Sequence, residues 1–136
     1  MDVTQIPFAK HIGIERRGEG TLKLEPTEVV QNHIESIHAS AQFTLAETQS
    51  GLHLQFSFPE LVGKVAGLLR GATVKYKNPA TTAIYAIATI EEKDKEKFLM
   101  QLERKGRAGI VVDVVVKDSN DVVCMQGEFS WFVQKI

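Results

Sequence analysis

The sequence predicts an α+β fold in which one long helix packs against an antiparallel β-sheet. Residues 36–50 form a mainly apolar stretch with helical spacing, and Gly51 follows it directly. Beyond Pro59 the period changes to two, because apolar and polar residues alternate in several segments that are mostly joined by short turns. A chain of 136 residues without a linker or an internal repeat suits one hydrophobic core, so we expect a single domain over residues 1–136.

The first half of the chain is predicted to hold the long helix and few other regular elements. Their order is a short helix or loop, a strand, a loop, the long helix and a short helical or irregular connection. These elements are predicted over residues 7–13, 12–25, 26–35, 36–50 and 60–67, respectively. Gly18-Glu19-Gly20 predicts a bulge or turn within the strand. Gly51 is predicted to end the helix, since glycine is common just beyond a helix C-terminus.

The second half is predicted to supply most of the sheet. A charged helix over residues 92–105 separates the middle two of four strands, which cover residues 68–79, 82–91, 108–117 and 122–135. Gly106 follows a basic last turn, as is typical of a helix end, and Asp118-Ser119-Asn120-Asp121 predicts a hairpin turn. A curved sheet of about five to six strands leaves an edge that a second copy can cover, so we expect a homodimer.

Composition excludes several classes of function. A formal net charge of -1 and a pI near 6.4 argue against nucleic-acid binding, which usually needs a basic face. No apolar run approaches the roughly 18 residues of a membrane span, and the first residues do not resemble a signal peptide. The single cysteine, Cys124, rules out an internal disulfide and fits a reducing compartment, so we expect a cytoplasmic protein. The four histidines lack partners at metal-ligand spacing, and no metal site is predicted.

Glu47 is the most informative residue, because it lies inside the apolar helical stretch. At about 100° per residue it shares a stripe with Ser40, Phe43 and Leu54, whereas Gln42 and Gln49 lie on the far side. An ionised and unpaired carboxylate in such a place costs several kcal/mol. Glu47 is therefore expected to be hydrogen-bonded, protonated or used in a reaction, and periodicity alone leaves a structural and a functional role open.

Three segments resemble hotdog-fold thioesterases of the phenylacetate-pathway type. Residues 7–14, Pro-Phe-Ala-Lys-His-Ile-Gly-Ile, are similar to the opening of those enzymes, and residues 71–80 are similar to their strand that ends in Pro-Ala. Their central motif is matched by Asn32, His38-Ala39, Leu45-Ala46-Glu47 and Ser50-Gly51. The nine-residue step from His38 to Glu47 fits the motif, and the most similar branch carries His-Ala and Glu rather than His-Gly and Asp.

The resemblance implies a hotdog fold, a homodimer or dimer of dimers, and hydrolysis of an acyl-CoA thioester without any further cofactor. Glu47 would act as general base or as nucleophile, in a pocket between two subunits. The backbone N–H of Ala39 would stabilise the oxyanion at the start of the helix. His38 and Asn32 would orient water or substrate.

Substrate-binding residues follow from the same hypothesis. Ser40 would shape the pocket or donate a hydrogen bond to Glu47, because no Ser-His-Asp pattern supports a nucleophilic serine. Phe43 and Leu54 would line an apolar slot for the acyl chain. Cationic side chains would bind the phosphates of coenzyme A, with Lys75, Lys77, Arg70 and the run 104–107 as candidates.

Two departures from the family pattern leave a rival open. Glu35 stands where many relatives have glycine, and Ala39 replaces the first glycine of a pair. Both are compatible with a non-catalytic acyl-CoA-binding or lipid-binding module, in which His38 caps the helix and Asn32 ties down its own loop. A hotdog dehydratase is a second rival, but its longer histidine-to-carboxylate spacing and proline-rich lead-in are absent from this sequence.

Overall fold

The computed structural model describes all 136 residues. Its α-helices are α1 (Pro7–Ile12), α2 (Ala39–Ser57) and α3 (Glu92–Lys105). Its strands are β1 (Glu15–Arg16), β2 (Leu22–Leu24), β3 (Val65–Tyr76), β4 (Ile84–Thr89), β5 (Arg107–Asp118) and β6 (Val123–Lys135). Short 3-10 helices cover Val3–Gln5, Glu28–Val30 and Pro59–Leu61.

All six strands form one antiparallel sheet in the order β1-β2-β4-β5-β6-β3, and α2 packs across it. Strand β5 shows why the sheet has a dry face: Ala108, Ile110, Val112, Val114 and Val116 are buried, and the residues between them are mostly exposed. Because β4 pairs only with the second half of β5, α3 lies beside the first half. The predicted arrangement of a long helix on an antiparallel sheet is confirmed.

The buried side of α2 includes two amides as well as apolar residues such as Leu45 and Leu52. Gln49 Oε1 accepts a hydrogen bond of 2.8 Å from the N–H of Leu22, and its Nε2 donates one of 2.8 Å to the carbonyl of Gly20. Gln42 donates to the carbonyl of Ile37. Gln42 and Gln49 lie on the side of α2 opposite Glu47, as the helical spacing predicts. This side of the helix faces the core.

The predicted bounds of the long helix are wrong at both ends. Residues 36 and 37 still belong to the preceding loop, where the N–H of Ile37 donates to the carbonyl of Ala80. Gly51 does not stop the helix, which continues to Ser57 and ends before Pro59. Glycine lowers helix propensity by about 1 kcal/mol, and packing on both sides of the last two turns overrides that preference.

Other element boundaries also differ from the prediction. Residues 12–25 do not form one strand, since α1 ends at left-handed Gly13 and a turn separates β1 from β2. Strand β3 begins at Val65, inside the stretch predicted to be irregular. The predicted helix over residues 92–105 and its glycine stop are confirmed, because Gly106 is left-handed with φ 75°. None of the helices combines the length and hydropathy that a membrane-spanning segment requires.

Strand β3 forms a long free edge of the sheet. Only β6 pairs with it, so every second backbone N–H and C=O of its twelve residues faces outward. Most of its side chains are exposed, and Leu68 is 70% exposed. The exposed first turn of α2 adjoins the end of this strand, because the hydroxyl of Tyr76 donates to the carbonyl of Ala39.

Candidate active site

The loop before α2 is held by the side chain of Asn32. Its Oδ1 accepts hydrogen bonds of 3.0 Å from the N–H groups of Ile34 and Ser36, and its Nδ2 donates one of 2.8 Å to Ser36 Oγ. Glu35 lies within this turn with φ 60°, a conformation that favours glycine. The structure therefore places the Asn32 amide within its own loop, as an Asx turn that fixes the entry to the helix.

His38 is the N-cap of α2. Its Nδ1 accepts a hydrogen bond of 2.9 Å from the N–H of Ser40, so the neutral ring carries its proton on Nε2. The His38 carbonyl accepts from the N–H groups of Ala41 and Gln42 at 2.9 and 3.0 Å. The N–H of Ala39 is the one donor of this first turn that has no acceptor. It is an exposed backbone donor at the positive end of a 19-residue helix, which suits it to bind an anionic oxygen.

Tyr76 connects this helix start to the edge strand. Its hydroxyl donates a hydrogen bond of 3.1 Å to the carbonyl of Ala39, and partial burial raises its pKa above the usual value. Tyr76 is not among the predicted site residues, because Tyr76 and Ala39 are 37 positions apart in the sequence and only the folded sheet brings them together. An aromatic residue near the end of the predicted strand over residues 68–79 was the available signal.

Glu47 lies eight residues after Ala39, which corresponds to roughly 12 Å along the helix axis. Its carboxylate is half-buried and makes no ion pair or hydrogen bond with another side chain. The nearby hydroxyls are unavailable, since Thr44 donates to the carbonyl of Ser40 and Thr48 to that of Thr44. Burial raises the pKa of Glu47 above its ordinary value of 4.5. The side chain is thus an unpaired carboxylate of increased basicity.

The turn that carries Glu47 is attached to the sheet by Trp131 and Ser50. The Trp131 indole N–H donates a hydrogen bond of 2.8 Å to Ser50 Oγ, and Ser50 donates one of 2.6 Å to the carbonyl of Glu47. Ser50 is fully buried. Neither residue was expected at the site, although serine three residues after the acidic position belongs to the matched motif.

Glu47 opens into a mainly apolar cavity of about 510 Å³. The second half of α2 supplies one wall, and strands β3 and β6 supply another through Gly67, Trp131 and Val133. The third wall is the N-terminal segment, residues 1–9, of which Val3 and Ala9 are buried. The volume lies within the range of small-molecule sites in proteins.

The structure brings together only some of the predicted site residues. Asn32, His38, Ala39 and Ser40 cluster at the helix start, and Ser40 makes no hydrogen bond with Glu47. Leu54 lines the cavity, whereas Phe43 packs on Phe129 with ring centroids 5.4 Å apart and is not part of the lining.

The cationic side chains predicted to bind the phosphates of coenzyme A do not line the cavity. Lys75 is adjacent in β3 to Tyr76, which faces the helix, so Lys75 points to the opposite face of the sheet. Lys77 lies just beyond that strand and makes no ion pair. Arg70 stacks on Phe132 and borders a groove beside α3, together with Lys97, Lys105 and Arg107. No three His, Cys, Asp or Glu residues are grouped so that they could hold a metal ion.

Solved structures from three bacteria share this architecture. A Pseudomonas aeruginosa protein of unknown function, described as a probable thioesterase, has a TM-score of 0.81 at 21% identity, with 98% of this chain and 91% of that chain covered. A Haemophilus influenzae thioesterase gives 0.77 at 15% identity, covering 98% and 86%. A Bacillus halodurans protein solved with coenzyme A gives 0.72 at 24% identity, covering 93% and 74%. No curated protein sequence matches significantly.

These likenesses establish the fold that the sequence motifs implied. A helix wrapped by a curved six-stranded antiparallel sheet is the hotdog fold, which is shared with the thioesterases named above. The family model for a domain of unknown function, DUF4442, matches residues 7–133. This chain therefore belongs to the DUF4442 family.

Proposed function

We propose that the protein hydrolyses acyl-CoA thioesters, with Glu47 as the base and the Ala39 N–H as the oxyanion donor. The observation that carries the proposal is the presence of two groups without partners on one helix. The Glu47 carboxylate is half-buried and has a raised pKa, and the Ala39 N–H is a backbone donor without an acceptor. Hydrolysis of a thioester needs both, because water must lose a proton while the carbonyl oxygen gains charge.

These two groups can handle the proton and the negative charge that arise during the reaction. Glu47 accepts a proton from water as the water oxygen bonds to the carbonyl carbon, and the Ala39 N–H donates to the resulting oxyanion. Collapse of this intermediate breaks the carbon–sulfur bond. The proton returns from Glu47 to the departing thiolate, which leaves as free coenzyme A, and the acyl group leaves as a carboxylic acid. His38 presents Nε2–H at the helix start, where it can donate to the water or to the thioester.

The two groups of one subunit are too far apart to act on one carbonyl. Ala39 and Glu47 are separated by roughly 12 Å along the axis, whereas each must reach within about 3 Å of the reacting atoms. A second copy that pairs with β3 would bring its own α2 to the exposed start of this helix. We therefore propose a homodimer in which Glu47 of one subunit works with Ala39 of the other.

Two substitutions test the roles separately. Glu47→Gln removes the base and is expected to lower kcat by roughly 10²-fold or more. Ala39→Pro removes only the N–H, because proline is well accepted at the first position of a helix and His38 already has φ -58° and ψ 141°. It is expected to lower kcat by about 10²–10³-fold. Thiol release from a panel of acyl-CoA substrates is the measurement. Wild-type rates for both variants would disprove the proposal.

Mixing the two inactive variants tests the shared site. After exchange of subunits, half of the dimers are mixed, and each mixed dimer holds one site with both groups intact. About a quarter of the wild-type activity should therefore return if the site spans two subunits. No recovery, with mixed dimers shown to form, would mean that each subunit works alone.

A non-catalytic acyl-CoA-binding module is the second candidate, and one observation favours it. Asn32 and His38 both use side-chain atoms to hold the loop and the helix start. In that case Glu47→Gln would leave the affinity for acyl-CoA intact, and the wild-type protein would release no thiol above background.

A further inference from the structure

The cavity beside Glu47 has a polar end and a mainly apolar remainder, in which Gln55 is the one side-chain amide. Thr44, Glu47 and Thr48 of α2 line the polar end. Phe58, Phe98 and Val133 line the apolar part, and each of these is at most 5% exposed. A ligand with a reactive head and a hydrocarbon tail is the chemical class that matches such a gradient.

The length of the cavity follows from the helix that lines it. Phe58 lies eleven residues after Glu47, which corresponds to roughly 16 Å of rise. Carbon–carbon bonds of about 1.5 Å advance roughly 1.25 Å each in an extended zigzag chain. The distance therefore spans about thirteen bonds of an extended chain. The side chains of Glu47 and Phe58 take up part of it, which leaves room for on the order of ten to twelve carbons.

Gly51 lets the Trp131 ring lie close to the middle of α2 at one side of this space. It lies one turn after Glu47, lines the cavity and faces the Trp131 ring, which a Cβ atom at Gly51 would meet at 3.4 Å. A Cβ atom at Gly67 would likewise lie 3.5 Å from the Trp131 ring. Because glycine weakens a helix, its presence in the middle of α2 needs a reason, and the close approach of the Trp131 ring supplies one. A side chain longer than one carbon at this position would have to displace the ring or enter the cavity.

We infer that this cavity, inside a single protomer, receives the hydrocarbon chain of a medium-chain acyl group, and that glycine at position 51 keeps its path free of a side chain. The inference rests on the proposed function for the position of the thioester beside Glu47. The N-terminal segment, residues 1–9, closes the cavity on the side away from the sheet. Trp131 forms the side wall next to Gly51, and the phenylalanines set the length limit.

Substitutions that fill the cavity test the inference. Gly51→Leu places a side chain directly after Glu47, and Leu54→Trp fills the next turn from a residue that is already large and partly buried. Gly51→Ala is the matched control, since its added atom meets Trp131 at ordinary contact distance. For the wild type, kcat/KM should rise with chain length to about ten to twelve carbons and then fall. In each filled variant, the ratio of kcat/KM for decanoyl-CoA to kcat/KM for acetyl-CoA should fall at least about tenfold.

A second measurement does not depend on hydrolysis. Decanoic acid should displace a fluorescent fatty-acid probe from the wild type and from Gly51→Ala, and at least about tenfold more weakly from both filled variants. Unchanged binding and unchanged chain-length preference in both filled variants would overturn the inference, whether or not thioesters are hydrolysed. If decanoate binds and filling blocks it while no thioester is cleaved, the cavity assignment stands and the proposed hydrolase activity fails. Thermal unfolding would confirm that each variant is folded.

Discussion

Trp131 and Ser50 are 81 positions apart in the chain, yet the indole N–H donates a hydrogen bond of 2.8 Å to the serine hydroxyl. The same hydroxyl donates to the carbonyl of Glu47. The last strand of the sheet therefore holds the helical turn that carries the proposed base, and it does so through a fully buried side chain.

The energy of this contact can be measured by a double-mutant cycle. Ser50→Ala is expected to lower the free energy of unfolding by about 1–3 kcal/mol, because the Trp131 N–H loses its acceptor in a part-buried place. In a Trp131→Phe background the same change should cost about 1 kcal/mol less. Urea denaturation of the four proteins gives the coupling. Additive effects would show that the hydrogen bond contributes nothing to stability.

Glu47 is expected to reduce stability at neutral pH. Burial raises its pKa in the folded state above the ordinary 4.5, so the folded state binds the proton more tightly than the unfolded state. Its contribution is therefore favourable below about pH 4.5 and is lost as the pH rises through the raised value. Glu47→Gln should match the wild type in stability at low pH and exceed it at pH 7–8, by an amount that solvent screening of the half-buried carboxylate keeps small. Denaturant unfolding at several pH values tests this, and an equal gain at every pH would contradict it.

Glu35 is expected to store backbone strain. Its φ of 60° costs a non-glycine residue about 1–2 kcal/mol, part of which glycine would lose again through its greater freedom in the unfolded chain. Glu35→Gly should thus stabilise the protein by roughly 0.5–1 kcal/mol. The control is Thr27→Gly, at an exposed position with φ -71°, which should destabilise it. A loss of stability in Glu35→Gly would mean that the carboxylate has a role that outweighs the strain.

The two buried glutamines of α2 should differ in their effect on stability. Gln49→Met removes two hydrogen bonds and leaves the N–H of Leu22 and the carbonyl of Gly20 unpaired, at an expected cost of about 2–4 kcal/mol. Gln42→Met removes one bond and also a buried Oε1 that has no partner, so it should cost about 1 kcal/mol or less. Thermal and urea unfolding compare the pair. Equal losses would show that the bonds to Gly20 and Leu22 add no stability.

The parts of the fold that the sequence predicts well are those set by local pattern. Strand β5 was evident because its β-branched residues alternate between a buried and an exposed face. Helix α3 was evident because its charged surface, two buried apolar residues and terminal glycine agree. The end of α2 was not, because Gly51 is a local stop signal that contacts with Trp131 and the N-terminal segment override.

The candidate site also contains residues that the sequence predicts and residues that it does not. Spacing and resemblance singled out Ala39 and Glu47, which keep unsatisfied donor and acceptor groups in the structure. Tyr76 and Trp131 escaped notice because their roles depend on contacts with residues 37 and 81 positions away. Lys75 was predicted to bind substrate from its charge alone, and strand alternation turns it to the far face of the sheet.

The free margin of β3 has a consequence for the biogenesis of the protein. A lone, newly folded chain exposes a twelve-residue ribbon whose only charged side chains are those of Arg70 and Lys75, and such a ribbon can template cross-β stacking with any similar one. Substitutions that weaken the proposed association of two copies without unfolding the domain should therefore appear in cells as insoluble protein. Loss of solubility, more than loss of helix or strand content, would be the phenotype of a defective margin.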